Sequence, residues 1–326
     1  MGEAQMMGKG SKAGRDTLAR SLAGENRQLA LMSAPVVVWY VLFCYLPLFG
    51  IAFAFKDFTP KPGQSLLRNL FVNSRWSGLA NFSFLFRNPQ SGAILLNTLF
   101  YNVIFLVAGI VIPVFLAILL TEVRQKRFKG LVQMTLVLPY FLSWVIVSYC
   151  AYGFLSSDHG QINAVLNALG LASVQWYQSP QYWSAILIIT GVWKSCGYSL
   201  IIYMCAITAI DRTLYEGAVL DGATFWQQVR HITLPLLRPT VATIFILSIG
   251  SLLSSDFGLF YQVPMDSGSL QEVTQTLDVY VYKALMQQAN FSYSSAAAFL
   301  QSAVGCALLF LSNALIRRVD RDSALM

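Results

Sequence analysis

One polar stretch of this 326-residue chain, residues 216–239, lies between two long apolar segments and combines several side chains that could do chemistry. The stretch carries two acids, Glu216 and Asp221, together with two arginines, two prolines and one of the two histidines of the chain. A pair of acids could act as a general acid and base, or could bind basic groups of a partner. Because no Cys/His cluster and no nucleophile with a neighbouring base stands out, the sequence predicts neither a metal site nor a catalytic site.

The first half of this region has the pattern of a short helix that ends in a tight turn. Thr213 and Glu216 have the spacing of a capping box, which predicts a helix that begins there and runs to about Leu220. Asp221 followed by Gly222 is typical of a turn, since glycine adopts a positive φ that other residues resist. The sequence therefore predicts that the chain reverses direction at Gly222.

The second half predicts another short helix. Thr224 and Gln227 form a second capping box, which indicates a helix that continues through Ile232. Pro235 and Pro239 follow, and a proline inside a helical pattern usually ends it. We therefore expect two helices with a glycine turn between them, followed by a membrane span that begins after the second proline.

The elements that position this stretch are long apolar segments. Of all residues, 56% are hydrophobic and only 11% are charged, with a mean hydropathy of +0.57. Soluble domains carry about 25% charged residues, and a membrane-spanning helix needs about 20 mostly apolar residues. The sequence therefore predicts an all-α integral membrane protein with six transmembrane helices. We place the spans at residues 29–55, 93–120, 131–155, 182–210, 240–261 and 295–316.

Basic residues are unevenly distributed between the two sides of these predicted spans. Of the 22 Lys and Arg, 15 lie on the side of both termini, six lie on the opposite side, and Lys194 lies within a span. Because Lys and Arg favour the cytoplasmic side, we expect the N-terminal segment 1–28, the loop 211–239 and the tail 317–326 to be cytoplasmic. This orientation explains the net charge of +7 without any binding of nucleic acid.

The polar stretch resembles the EAA loop of binding-protein-dependent ABC importer permeases, which reads E-A-A-x-x-D-G-A and, further on, L-P-x-x-x-P. This chain departs from the pattern at Gly217, where the family has alanine. We call residues 211–239 the EAA loop. The positions that match are Glu216, Ala218, Asp221, Gly222, Ala223, Leu234, Pro235 and Pro239.

Further segments are similar to permeases of the carbohydrate-uptake branch. They read RQLALMSAPVVVWYVLFCYLPLFGIAFAFKDF near the N-terminus, WKSCGYSLIIYMCAITAIDRTLYEGAVLDGA ahead of and into the loop, and TLDVYVYKALMQQANFSYSSAAAFLQS before the last span. Together they resemble six-span permeases for complex or acidic oligosaccharides, such as pectin fragments or alginate. The resemblance implies a permease domain over residues 29–316 with the fold of a type I ABC importer, located in the bacterial inner membrane.

Several partners are implied by the same resemblance. They are a second permease subunit, expected to be a different chain, two cytoplasmic ABC ATPases and an external solute-binding protein that delivers the oligosaccharide. ATP and magnesium would be bound by the ATPases, so we expect no cofactor in this chain. The sequence agrees, because it contains no G-x-x-x-x-G-K-[ST] phosphate-binding motif. We therefore expect a permease subunit that is not itself an enzyme.

The resemblance also assigns a role to the EAA loop. A coupling helix at about residues 214–225 would dock in a cleft of one ATPase, with both acids facing charged partners and the glycine providing the turn. ATP-driven closure of the ATPases would then rotate the spans. The residues implied in coupling are Leu214, Tyr215, Glu216, Gly217, Ala218, Asp221, Gly222, Ala223, Phe225, Pro235 and Pro239.

Lys194, in the fourth predicted span, is the first candidate for a substrate contact. A charge at that depth costs about 2.5–3.5 kcal/mol and points to a bundle interior or a wet cavity. Two interpretations remain open: a structural lysine that pairs with Asp256 or with backbone carbonyls, and a cationic contact for an anionic sugar. Aromatic rings stack on sugar faces. The candidate pathway residues are Trp193, Lys194, Tyr198, Asp256, Phe257 and Tyr261.

Two other classes of protein remain as alternatives. An ion-coupled secondary transporter would explain the intramembrane charges of Lys194 and Asp256, but such carriers show internal repeats, and the sequence contains no convincing one. A membrane-bound transferase would need reactive residues clustered near one interface, and Glu216 with Asp221 is the only such cluster. Copurification with an ATPase would separate a permease from both.

Overall fold

The structure is a computed structural model that describes residues 28–59, 63–65, 68–83 and 89–319. The predicted cytoplasmic segment 1–28, except Gln28, and the last seven residues of the predicted tail lie outside the described residues. The chain comprises two compact units, Met1–Ala52 and Phe53–Met326.

The described part of the first unit belongs to helix α1, Gln28–Phe55. This helix changes geometry along its length, with a π turn at Val41–Tyr45 and 3-10 geometry over Leu46–Phe55. Pro47 lies at that change. Because proline has no N–H to donate, a helix adjusts its hydrogen-bond spacing around it.

The second unit begins with a small polar substructure and continues as a helical bundle. Strands β1 (Lys56–Asp57) and β2 (Arg75–Trp76) pair antiparallel, with Lys56 opposite Trp76. Single turns form at Asn69–Asn73, Ala80–Phe82, Trp176–Gln178, Gly258–Gln262, Gly268–Leu270 and Gln271–Thr274. The longer helices are α2 (Pro89–Glu122), α3 (Lys126–Phe141), α4 (Trp144–Leu155), α5 (Gln161–Ala168), α6 (Pro180–Thr208), α7 (Arg212–Leu220), α8 (Phe225–Gly250), α9 (Leu277–Met286) and α10 (Phe291–Val319).

Helix α6 is central to the bundle, where it packs against α2 and α3, while α8 and α9 pack against α10. Small residues allow the closest approaches. A Cβ atom at Gly197 of α6 would lie 2.0 Å from the Leu136 carbonyl oxygen of α3. Likewise, a Cβ atom at Gly305 of α10 would lie 2.3 Å from the Gly250 oxygen. Such contacts are typical of helices packed in a membrane, where small residues let backbones meet.

The predicted span 131–155 contains a break in its helical structure. The structure has two helices there, α3 and α4, which are bent by 103° at residues 142–143. Pro139 lies in the last turn of α3. The Ser143 hydroxyl then accepts the Ile146 amide at 3.3 Å, which caps a new helix. A helix stop followed at once by a start signal produces the break.

The predicted fifth span, 240–261, is wrong at both ends, because α8 begins at Phe225 and ends at Gly250. Pro235 and Pro239 therefore lie inside a continuous helix and do not end it. A π turn at Val229–Thr233 precedes them, and there the Leu234 amide reaches back to the Val229 carbonyl. The wider turn shifts the hydrogen bonds just before the prolines, which donate none.

The other four predicted spans correspond to α1, α2, α6 and α10. In the described chain five helices are long and apolar enough to cross a membrane, or six if the bent pair α3–α4 is one span. The prediction of an all-α membrane protein with about six spans is therefore confirmed.

Candidate functional site: the EAA loop and the Lys194 cavity

Helix α7 begins differently from the sequence prediction. Its N-cap is Asp211, whose carboxylate accepts the Thr213 amide at 3.0 Å, so the predicted capping box of Thr213 with Glu216 is wrong. The acid wins because an N-cap carboxylate binds the first free N–H groups of the helix and favours its positive end. The same bonds from Thr213 hold the pKa of Asp211 below its usual value.

The predicted turn after α7 is present. Gly222 has a φ of +76°, in the left-handed region, and the Ala223 amide donates to the Ala218 carbonyl at 2.9 Å. The second predicted capping box is confirmed, since Thr224 and Gln227 bind each other reciprocally at the start of α8. The loop is therefore an ordered helix–turn–helix.

Two side-chain contacts fasten α7 and the turn after it to the first turns of α8. The Tyr215 hydroxyl lies 2.9 Å from the Thr233 hydroxyl. The side-chain amide of Gln228 donates to the Ala223 carbonyl at 3.0 Å. Because α7 is bound to the helix that continues into the bundle, a force on α7 reaches α8 directly.

The outer face of the EAA loop is apolar and acidic at once. Leu220 is 89% exposed, and Leu214, Val219 and Trp226 are also largely exposed. Within the described residues neither Glu216 nor Asp221 has a hydrogen-bond or ion-pair partner for its carboxylate. An exposed apolar patch beside unpaired charges is typical of a docking surface. Sequence reasoning missed Val219, Leu220 and Trp226. The signal was present, because large apolar residues in a short polar loop outside the membrane spans favour a protein contact.

Behind α7 lies a cavity of about 310 Å³, between the loop and the ends of α2 and α6. Glu216 lines it together with Arg212 of α7 and Glu122 of α2. Phe225 also lines it and packs on Trp226 with ring centroids 5.0 Å apart. The motif glutamate therefore lies at the edge of the docking face, where this face meets the cavity.

Gly217 is the position where the chain departs from the family motif. A Cβ atom there would meet no other atom within 4 Å, so an alanine would fit. The departure changes helix propensity and leaves packing untouched.

Lys194 lines a second cavity, of about 260 Å³, at the break between α3 and α4. Its ammonium donates to the Tyr140 carbonyl at 2.9 Å and lies 5.0 Å from the centre of the Trp144 ring. The carbonyl is one of those left free where α3 ends, so Lys194 stabilises the broken helix. We call this space the Lys194 cavity; it is lined by Asn102, Phe105, Tyr140, Trp144, Gly191, Lys194, Ser195, Asp256 and Leu259.

Asp256 lines the same cavity but does not pair with Lys194. Its carboxylate accepts the Trp144 indole N–H at 2.8 Å and the Gly258 amide at 2.9 Å. Among the described residues the one ion pair joins Lys283 to Asp266. Two structural partners were considered for Lys194, Asp256 and a backbone carbonyl. In the structure its partner is the backbone carbonyl of Tyr140. Sequence reasoning missed Trp144, which bridges the two charges.

None of the four predicted aromatic residues lines the cavity itself. Tyr198 stacks on Tyr140, with ring centroids 4.8 Å apart and planes inclined by 13°. Phe257 stacks on Tyr261, also at 4.8 Å. Trp193 is about half exposed and does not line the cavity. The structure therefore brings together Lys194 and Asp256 at the cavity, and Tyr198 contacts its wall through Tyr140.

A bundle of apolar spans whose breaks enclose a cavity with two charged residues, and an exposed loop fastened to one span, is the arrangement of a membrane transport component. The family described as the binding-protein-dependent transport system inner membrane component matches residues 109–322, more than half of the chain. The chain belongs to that family, so it is a component of the inner membrane.

Relatives of known name are sugar transport permeases. The polygalacturonan/rhamnogalacturonan transport system permease protein YteP of Bacillus subtilis (strain 168) is 36% identical over 298 residues, 91% of this chain and 90% of YteP. The lactose transport system permease protein LacF of Rhizobium radiobacter is 30% identical, over 76% of this chain and 85% of LacF.

Solved structures of similar fold include a bacterial ABC transporter involved in the import of the acidic polysaccharide alginate. The match has a TM-score of 0.82 and 29% identity, over 93% of this chain and 99% of that chain. The bacterial alginate ABC transporter in complex with an alginate pentasaccharide-bound periplasmic protein matches with a TM-score of 0.80. The expected importer permease fold is therefore confirmed.

Proposed function

We propose that this chain is the permease subunit of an ATP-driven importer that translocates acidic oligosaccharides, such as pectin or alginate fragments. The observation that carries the proposal is the ordered EAA loop, which presents Leu220 and two unpaired carboxylates to a partner. The names of YteP and of the alginate transporter support the acidic substrate class.

The partners follow from this assignment. Two ATPases supply the energy, bind ATP and magnesium, and receive the EAA loop. A second permease completes the pathway, and an extracytoplasmic binding protein delivers the oligosaccharide. The distribution of Lys and Arg supports an orientation in which both termini and the EAA loop face the cytoplasm.

Mechanically, closure of the ATPases moves α7, and the bonds of Tyr215 and Gln228 carry that movement to α8. Helix α8 then turns with the loop and changes access to the Lys194 cavity. No residue of this chain takes part in a covalent step. Its role is to bind, to orient and to move.

Within the cavity, Lys194 contacts the carboxylate of a uronate residue. Its ammonium has three donors, and the structure uses one of them for the Tyr140 carbonyl. The remaining donors are left for a ligand in the cavity, which Tyr140 and Trp144 also line. Asp256 accepts the Trp144 indole N–H and so holds the Trp144 ring in place at the cavity.

The test is coexpression of this chain with the products of its genomic neighbours, purification and reconstitution in lipid vesicles. We expect ATP hydrolysis to be stimulated by binding protein loaded with galacturonate or alginate oligosaccharides, and uptake to require ATP. Uptake driven by an ion gradient without an ATPase would favour the secondary transporter and refute the proposal.

A further inference from the structure

The chain between α8 and the Gly258–Gln262 turn, residues 251–256, is not helical. We call it the strap. Its backbone groups lack the hydrogen bonds that a helix would give them, so side chains of the bundle must supply partners. Its last residue is Asp256, which lines the Lys194 cavity.

Asn102 of α2 binds the strap directly. Its side-chain amide donates to the Leu252 carbonyl at 2.7 Å and to the Ser254 carbonyl at 3.1 Å. One side chain therefore satisfies two carbonyls of the break. Asn102 also lines the Lys194 cavity, so it joins the strap to the cavity wall.

The far side of the strap is held by Asp278 of α9. Its carboxylate accepts the Ser255 amide at 2.5 Å and the Ser255 hydroxyl at 2.9 Å. Gln301 of α10 donates to the same carboxylate at 3.0 Å. The strap thus has polar anchors on α2 and α9, besides the bond of Trp144 to Asp256, and α10 holds the α9 anchor in place through Gln301.

Helix α8 connects this strap to the EAA loop without interruption. It has 26 residues from Phe225 to Gly250, a length of about 39 Å at 1.5 Å per residue. Its first turn belongs to the loop, and its last turn precedes the strap. A displacement of the loop therefore reaches the strap through one helix.

We propose that Asn102 is a positioning residue that fixes the strap against α2, so that movement of α8 repositions Asp256 at the Lys194 cavity. Without the amide, α8 would still move with the ATPases, but the strap would flex and the movement would not reach Asp256. The inference rests on the proposed function, since it concerns how the proposed coupling reaches the substrate.

The test uses the complete complex in vesicles with binding protein loaded with an alginate or galacturonate oligosaccharide. Asn102→Leu removes the donor and keeps the branched shape with the same number of side-chain heavy atoms. We expect assembly and stimulated ATP hydrolysis within about twofold of wild type, and about tenfold less oligosaccharide transported per ATP, as for the loss of two hydrogen bonds. Asn102→Gln, which keeps the amide, should restore part of that ratio.

Asn97 provides a matched control. It lies on the same helix and donates to the Glu272 carbonyl at 2.7 Å, outside the strap. Asn97→Leu should leave transport per ATP unchanged. A normal ratio in Asn102→Leu, or an equal loss in Asn97→Leu, overturns the role of Asn102. A wild-type complex without ATP-dependent uptake would instead refute the proposed function, so the two failures are distinguishable.

Discussion

The EAA loop and the Lys194 cavity treat their charged groups in opposite ways. In the loop, Glu216 and Asp221 have no partner among the described residues, and Leu220 is almost wholly exposed. In the cavity, Lys194 and Asp256 are each hydrogen-bonded within the chain. Unpaired groups on a surface favour a protein partner, whereas groups already held in place favour repeated, reversible contact with a moving ligand.

Under the proposed function, this difference distinguishes the part of the molecule that docks from the part that contacts substrate. A change in the loop should alter what the chain binds and how it is driven, with the bundle intact. A change at the cavity should alter which substrate passes and how well, while the ATPase stays bound.

The largest effect is expected from Gly222→Val in the loop. Gly222 has a φ of +76°, and a β-branched residue there is strained by about 1–2 kcal/mol, which displaces the end of α7. We expect ATP-driven transport to be nearly abolished, because the strain displaces the docking helix itself. ATP-driven uptake and permease yield are the measurements.

Gly170 offers the same backbone conformation in another loop. Its φ is also +76°, with open space around its Cβ position. Gly170→Val carries a similar strain, and we expect it to leave ATPase coupling unchanged. Equal loss of coupling in both variants would mean that strain alone, and not the position in the EAA loop, is responsible.

The second effect is at the cavity, in Gly258→Ala. The added Cβ atom would lie 2.0 Å from the Trp144 ring, so the indole must move away from Asp256. Overpacking of this kind costs about 1–3 kcal/mol. We expect lower oligosaccharide uptake with the ATPase still bound, measured as transport and copurification. Gly153→Ala, in open space on α4, is the control and should behave as wild type.

The third effect concerns substrate charge. Lys194→Ala removes the ammonium from the cavity, and hydrogen bonds to charged groups contribute about 1.5–3 kcal/mol. We expect uptake of acidic oligosaccharides to fall about tenfold, with assembly intact and neutral oligosaccharides much less affected. Uptake assays with both substrates in the same vesicles measure this, and an unchanged preference would remove Lys194 from the substrate pathway.

The smallest effect is expected at Asp211. Its pKa is lowered from 3.8 because the carboxylate accepts bonds from Thr213. A lowered pKa means that the capping contribution is present above 3.8 and is lost as pH falls through the folded value. Near neutral pH the cap is therefore fully formed and protects the Thr213 amide from hydrogen exchange. Exchange at Thr213 should be faster in Asp211→Ala than in the wild type at the same pH. Unchanged exchange in that variant would show that the cap is not formed.

Hydropathy and motif spacing predicted most of the bundle and the turn at Gly222. They did not predict the break at residues 142–143, because apolar composition continues through it. They did not predict the strap either, because its serines and Asp256 lie inside the predicted fifth span 240–261 and were taken as part of a helix. The prolines were misread for a related reason: Pro235 and Pro239 are tolerated in α8 after a π turn, and such a turn has no sequence signal.

The site shows the same division. The identity of Lys194 and Asp256 as intramembrane charges could be read from the sequence, but their partners could not. Whether Lys194 meets Asp256 or the Tyr140 carbonyl depends on how α3, α4 and α6 pack, and this packing is a tertiary property. Trp144, which binds Asp256, becomes visible only once the helix break places it there.

The most direct measurement is photo-crosslinking from single positions in the assembled transporter. A photoreactive residue at Leu220, on the exposed face of the EAA loop, should crosslink to an ATPase subunit. One at Leu169, which is 70% exposed beyond α5, should not. Crosslinking from Leu169 in place of Leu220, or from neither in an active complex, would contradict the assignment of the EAA loop as the docking surface.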